Sequence, residues 1–303
     1  ALNEACKKQG IKFCIYYSVL DWYHPDYPLH SPDDKTADPK SDMSRYIQFM
    51  KNQLKELITN YDPYMLWFDG QWESPWTNEM GKEIYAYLHE LKPSIIINNR
   101  LGKEFAATEN KKIDPTKMVG DYDTPEQAVG KLNMETPWES WFTICNQWAW
   151  KPNDKMKSLK ECLKIMSKVV GGNGNLLLNV GPMMDGRIEQ RQIDRLKEMG
   201  DWLKINSEAV YGTLGGPYQP NDNFATTRKG NKIFVNILNT DTTEISLKSI
   251  PDRKVVKSYR LKSGPVSIRQ SGGNMIIPVS KSETPYIVVL ELDKTAETIP
   301  VIE

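Results

Sequence analysis

The chain has 303 residues, with 39 basic and 39 acidic side chains for a net charge of +0, and it is rich in Trp (9) and Tyr (14). The balanced charge gives no electrostatic case for nucleic acid or an anionic membrane, and no apolar run approaches a membrane span. Neither the 3 His nor the 4 Cys (Cys6, Cys14, Cys145, Cys162) stand at metal-ligand spacing, which argues against a metal centre. Cys6 and Cys14 fall in a helix and a strand and read as buried thiols, not as a disulfide framework.

Ala1 to Gly10 reads as the last turns of an amphipathic helix stopped by glycine. A chain that opens this way, in mid-domain, implies an upstream portion. Ile11 to Ser18 is a strand. From Ser18 to about Asp42 runs a loop of Pro, Asp, His and aromatic residues, long enough to suggest a functional role. Ser44 to Asn60 is a helix with Tyr46, Ile47, Met50, Leu54, Leu57 and Ile58 on one face.

Tyr64 to Asp69 is an apolar run ending in a carboxylate, as in a buried parallel strand. A helix from about Glu79 to Leu91 and a strand from Ser94 to Asn98 follow, the latter running into Asn99-Arg100. Then come the loop Val119 to Gln127, the Trp-rich stretches Trp138 to Trp141 and Asn146 to Trp150, and a helix from about Ser158 to Val170. Gly171 to Gly181 leads into another buried strand. It lacks the Gly-Lys-Ser/Thr ending of a phosphate loop and precedes a strand instead of a helix. A helix from about Glu189 to Ser207 closes this part.

Strand–helix alternation with long loops after the strands indicates a parallel α/β architecture, most economically a (β/α) barrel of TIM type, incomplete at its N-terminus. Beyond Gly216 the pattern changes to short alternating strands at residues 232–238, 244–247, 255–261, 274–277 and 286–292, with no helix. That pattern reads as an all-β sandwich, giving a barrel portion at 1–214 and a sandwich at 215–303.

The most informative segment is Leu66-Trp67-Phe68-Asp69-Gly70, followed by Gln71-Trp72. In a barrel, the carboxyl end of a strand is where catalytic groups enter the active-site mouth. An aromatic face can hold a sugar ring while a carboxylate reaches its anomeric carbon. Asp-Gly pairs also close turns and cap helices, so the segment does not decide alone. Trp67, two residues before Asp69, shares its strand face.

Taken together, Tyr16-Tyr-Ser-Val-Leu-Asp-Trp22, Leu66 to Gly70, Gly120-Asp-Tyr-Asp-Thr-Pro-Glu-Gln127, Trp138-Glu139, Gly174-Asn-Leu-Leu-Leu-Asn-Val-Gly-Pro182 and Ala209-Val-Tyr-Gly-Thr213 resemble the α-L-fucosidases of glycoside hydrolase family 29. The resemblance implies a barrel followed by a sandwich. It also implies an exo-acting, retaining hydrolysis of terminal α-L-fucose through a covalent glycosyl-enzyme, with no cofactor. Asp69 matches the nucleophile. Glu126 aligns best with the acid/base loop. Glu139, which follows an apolar Trp138, is its rival or a sugar-hydroxyl contact, and Glu73 is a third candidate.

Arg100 matches an Arg that contacts the sugar or the nucleophile, although a strand-end salt bridge would look the same. Tyr16, Trp67 and Trp141 match or suit sugar contacts. Trp148 and Trp150 could extend the wall or simply anchor a loop. Full-length members carry earlier strands with a His-His pair, a pattern that His24, His30 and His89 do not form. The implied partner is a fucosylated oligosaccharide or glycoconjugate, in a periplasmic, secreted or lysosomal setting. Nothing in the sequence speaks to oligomeric state. Two rivals stand beside this reading: a retaining glycosidase for a related sugar such as α-L-galactose, and a catalytically silent carbohydrate-binding protein.

Overall fold

The computed structural model describes residues 1–103, 116–129 and 131–302. They form two compact units, Ala1–Thr124 and Pro125–Glu303.

The first unit begins with α1 (Leu2–Lys8), which ends as its sequence foretells. The Gly10 N–H donates to Lys7 O, the Ile11 N–H donates to Cys6 O, and Gly10 takes a positive φ of 67°. Next come β1 (Cys14–Ser18), α2 (Met43–Tyr61), β2 (Met65–Asp69), α3 (Asn78–Leu91) and β3 (Ile96–Ile97). Asp42 caps α2 by accepting from the Ser44 N–H at 2.8 Å, and Thr77 caps α3. The apolar face of α2 (Tyr46, Ile47, Met50, Leu54 and Ile58) joins Ile84 and Leu88 of α3 in one core with Leu66, Phe68 and Ile97 of the sheet.

The sheet has the order β1-β2-β3 and is parallel throughout, with Tyr16 opposite Trp67 and Ser18 opposite Asp69. Strand alternation therefore sends Leu66 and Phe68 toward the helices, and Tyr16, Trp67 and Asp69 to the other face. Observed β3 is shorter than the Ser94–Asn98 reading, because the backbone leaves as a 3-10 turn at Asn99–Leu101. The buried Asn98 side chain continues the pairing in its place: its Nδ2 donates to Phe68 O at 2.9 Å, and its Oδ1 accepts from the Phe68 N–H at 2.8 Å.

In the second unit, β4 (Glu139–Thr143) and β5 (Asn175–Asn179) form a parallel pair joined through α4 (Leu159–Gly171), and α5 (Gln190–Asn206) follows. A capping box between Ser158 and Glu161 starts α4. The glycine-rich approach to β5 has a packing cause: a Cβ on Gly174 would lie 2.5 Å from the Trp138 ring.

The remaining strands are β6 (Leu214–Gly215), β7 (Phe224–Lys229), β8 (Lys232–Ile237), β9 (Glu244–Lys248), β10 (Val255–Arg260), β11 (Arg269–Ser271), β12 (Asn274–Pro278) and β13 (Tyr286–Leu292). They make an antiparallel sheet ordered β10-β13-β8-β7-β6 and a second ordered β11-β12-β9. Val235, Ile237, Val288 and Leu290 face the small sheet, in a core with Ile245, Leu247, Met275 and Ile277. Phe234, Ile287 and Val289 face α4 and α5, among Leu163, Met166, Met199 and Trp202. Thus β8 and β13 are covered on both sides and do not alternate as the sequence reading expected.

The architecture is a parallel β/α part followed by antiparallel sheets. Among the described residues the parallel strands form a set of three and a separate pair, and no barrel closes. The cysteine expectation needs correction as well. No disulfide links the four, but Cys6 is only half-buried and Cys14 is exposed, since Cys14 lies on the sheet face away from the helices. Among the described residues no helix is long and apolar enough to cross a membrane. Nor do any three His, Cys, Asp or Glu gather there as a metal set.

Candidate active site

Asp69 is the last residue of β2, and the chain turns sharply behind it. Gly70 has φ +90°, and a Cβ there would sit 2.9 Å from the Leu20 side chain, so the turn suits glycine alone. The Asp69 side chain is nearly buried, with the residue 8% exposed. Oδ1 accepts from Arg100 Nη1 at 2.8 Å, and Oδ2 accepts from the Tyr16 hydroxyl at 3.1 Å.

Arg100 is 1% exposed and reaches inward from the 3-10 turn that ends β3. Its Nε donates to Thr124 Oγ1 at 3.0 Å and its Nη2 to Thr124 O at 3.3 Å, while the guanidinium lies 5.3 Å from the Trp67 ring centre. Thr124 is set in turn: its hydroxyl donates to Asn99 Oδ1 at 2.9 Å and its N–H to Asp123 Oδ1 at 2.8 Å. A guanidinium with this many fixed acceptors has little freedom.

The Tyr16 ring stacks on Trp67, with centres 5.8 Å apart and planes 19° apart, as the strand register requires. Burial first, and then the Asp69 carboxylate, hold the Tyr16 phenol well above its usual pKa, so it acts as a donor. Four of the residues picked from the sequence (Tyr16, Trp67, Asp69 and Arg100) therefore converge on one face of the first unit's sheet.

Glu126, Glu139 and Trp141 lie in the second unit. Glu126 is half-buried on a stretch running parallel to β4, where it bridges to Trp141, and the Gln127 N–H donates to Trp141 O at 3.0 Å. Trp141 packs on Trp148, with ring centres 4.5 Å apart. The Trp148 carbonyl accepts from Asn179 Nδ2 at 2.9 Å, at the carboxyl edge of β5. Glu139 stands at the amino end of β4, four residues from that strand's carboxyl edge at Thr143.

Asn98, Asn99 and Thr124, which no sequence motif singles out, carry the hydrogen bonds that hold the Arg100 region. The available signal was a polar cluster straight after apolar strands: Asn98-Asn99-Arg100, and Asp121 to Thr124. Glu73, the third acid/base candidate, accepts from Trp22 Nε1 at 2.8 Å and from the Tyr27 hydroxyl at 2.6 Å, so both its oxygens are already engaged by donors.

The first unit thus presents a nearly buried carboxylate beside aromatic faces, at the carboxyl edge of parallel strands. A family model described as Alpha-L-fucosidase matches residues 1–208. The tissue alpha-L-fucosidase of Homo sapiens is 28% identical over 243 residues, 77% of this chain and 49% of that protein. Alpha-L-fucosidase isoenzyme 1 from Paenibacillus thiaminolyticus superposes with a TM-score of 0.81 at 28% identity, covering 96% of this chain and 74% of that one. A GH29 alpha-L-fucosidase from Bacteroides thetaiotaomicron, trapped as a covalent intermediate with 2-fluoro-fucosyl fluoride, gives 0.81 at 26% identity, covering 96% and 70%. The chain belongs to the alpha-L-fucosidase family, glycoside hydrolase family 29. It spans less than half the length of the curated relatives it matches.

Proposed function

We propose that the protein is a retaining exo-α-L-fucosidase, with Asp69 as nucleophile and Glu126 as acid/base. Family membership supports the substrate class. The observation that carries the catalytic reading is the Asp69 carboxylate, which is nearly buried, held on one oxygen by Arg100 and on the other by Tyr16.

In this reading an Asp69 oxygen attacks the anomeric carbon of fucose. The bond to the leaving oxygen breaks as the Glu126 carboxyl gives that oxygen its proton, and an acyl-linked fucosyl-enzyme results. Glu126, now a carboxylate, takes a proton from water. The water oxygen attacks the same carbon, and the Asp69 carboxylate leaves, so two inversions give net retention. Trp67 and Tyr16 supply an aromatic face for the ring, and Arg100 fixes the nucleophile's rotamer. Such a mechanism needs the two carboxyl groups roughly 5 Å apart.

Glu126 is preferred over Glu139 because Glu139 stands at the amino end of β4, away from the edge where barrel chemistry is done. Glu139 and Trp141 are assigned to substrate binding or its support. The Bacteroides relative was trapped with a Glu-to-Gln variant, which suits a glutamate partner in the family. The reading includes a barrel portion at 1–214, a sandwich at 215–303, a fucosylated glycan as substrate, and a periplasmic, secreted or lysosomal location.

The test is chemical rescue. Asp69→Gly and Asp69→Asn should each lower turnover of an aryl α-L-fucoside by about a thousandfold or more. Azide should restore activity to the glycine variant and yield β-fucosyl azide, the inverted product. Turnover by either variant near that of the native protein would remove Asp69 from the role.

A further inference from the structure

We propose that Glu73 is a positioning residue that fixes the Trp22 ring as one wall of a leaving-group subsite, which receives the sugar ring from which fucose is cut. This rests on the fucosidase reading above.

The loop after β1 carries Trp22 and Tyr23, and the loop after β2 carries Trp72. Because Ser18 stands opposite Asp69, both loops start from the same edge of the sheet, beside the candidate nucleophile. All three aromatics offer surface to solvent: Trp22 is 37% exposed, Trp72 55% and Tyr23 98%. An exo-acting site encloses one ring and leaves the far side of the scissile bond facing out. Aromatic faces on the loops just beyond the nucleophile are therefore placed to meet the departing sugar, whose apolar C–H face they can cover.

Aromatic side chains on a long loop would normally sample many positions. Here one carboxylate ties the two loops together. Glu73 Oε1 accepts from the Trp22 indole N–H at 2.8 Å, and Oε2 accepts from the hydroxyl of the fully buried Tyr27 at 2.6 Å. Burial and then this hydrogen bond push the Tyr27 phenol up, which keeps it a donor.

The Glu73 segment is itself clamped. Lys103 Nζ donates to the carbonyl oxygens of Gln71 and Glu73 at 2.6 Å each, and the buried Trp76 donates its N–H to Leu101 O at 2.8 Å. On the opposite loop, a His30 ring nitrogen lies 3.0 Å from the Trp22 carbonyl, and the Tyr23 N–H donates to Asp21 Oδ1 at 3.0 Å. With donors on both oxygens, Glu73 works as an acceptor, and the acid/base role stays with Glu126.

The experiment measures kcat/KM on two substrates, a fucosyl disaccharide and α-L-fucosyl fluoride, whose leaving group is too small to reach the aromatic loops. Trp22→Phe keeps a ring but loses the anchored N–H, and Glu73→Ala removes the anchor. Each should lower the disaccharide-to-fluoride ratio of kcat/KM roughly five- to tenfold, mainly through KM for the disaccharide, as expected for loss of one aromatic contact. The double variant should fall no further than the single ones, since both break the same bond. Trp72→Ala, at an exposed position that carries no part of the core, should lower the ratio too.

An equal ratio in the native protein and all variants overturns the proposal. So does an equal loss on both substrates in Glu73→Ala with the ratio unmoved in Trp72→Ala, because Glu73 would then only support the fold. If the native protein hydrolyses neither substrate, the fucosidase reading itself fails and this inference falls with it.

Discussion

Strands β2 and β13 look alike as sequence and are covered differently. Both are nearly continuous apolar runs, Met65-Leu-Trp-Phe-Asp69 and Tyr286-Ile-Val-Val-Leu-Glu-Leu292. In β13 each face is filled by hydrocarbon, with Val288 and Leu290 against one core and Ile287 and Val289 against another. In β2 only the Leu66–Phe68 face meets hydrocarbon. The other face carries Trp67 and Asp69, covered by the Tyr16 ring and the Arg100 guanidinium. A run of apolar residues reports that both faces are covered, but not by what. Only the terminal carboxylate distinguishes the strand packed in hydrocarbon on both faces from the one whose second face is polar.

The comparison can be pressed by mutation at matched depth. Arg100→Met strands the Asp69 carboxylate in a nearly dry place and should reduce unfolding free energy by about 3–5 kcal/mol. Turnover should drop with it. Ile287→Ala in β13 should lower stability by a similar amount, about 2–5 kcal/mol, through the cavity it leaves. Its kcat/KM should match the native value at temperatures where it is folded. Denaturant unfolding and steady-state kinetics on the two variants separate these cases, and a full-activity Arg100→Met would erase the distinction between the strands.

A smaller effect is expected at Tyr16. Tyr16→Phe keeps the stacked ring but removes one of the two donors to Asp69, so kcat/KM should fall about tenfold, near 1–1.5 kcal/mol. The phenol is protonated below its raised pKa, so native Tyr16 stays a donor from about pH 6 to 9. The native-to-variant ratio should therefore be flat across that range, which a pair of pH–rate profiles checks. A ratio that collapses within the window would show the hydroxyl titrating there.

The smallest effect concerns thiols. Burial raises the pKa of both Cys145 and Cys162, which leaves them protonated and shielded at neutral pH. Iodoacetamide with peptide mapping should mark the exposed Cys14 first, and reach Cys145 and Cys162 only as the protein unfolds.

Much of this was legible in the chain itself. Helices with a wet face announced themselves by periodicity, as with the Tyr46, Ile47, Met50, Leu54 and Ile58 face of α2. The pairing of Trp67 with Asp69 followed from one strand's ending and the period-two rule, whereas Arg100 and Tyr16 came from the family resemblance.

What hid was polar structure inside the protein. The strand β7 escaped because Thr226, Thr227 and Arg228 are buried although hydrophilic. Their partners are distant carbonyls, such as Ala209 O for the Thr227 hydroxyl and Ile299 O for Arg228. The early end of β3 was hidden for a related reason: Asn98 replaces backbone pairing with its side-chain amide, which no hydrophobic pattern reports. Thr124 likewise reads as a loop residue until Arg100 is seen to depend on it. Contacts between residues far apart in sequence decided each case.

The most direct test of the central claim is to incubate the protein with 2-deoxy-2-fluoro-α-L-fucosyl fluoride, digest it, and locate the labelled residue by mass spectrometry. The account predicts one fluorofucosyl group, ester-linked to Asp69 and absent from Asp69→Asn. A label on any other carboxylate, or equal labelling of the Asn variant, would contradict it.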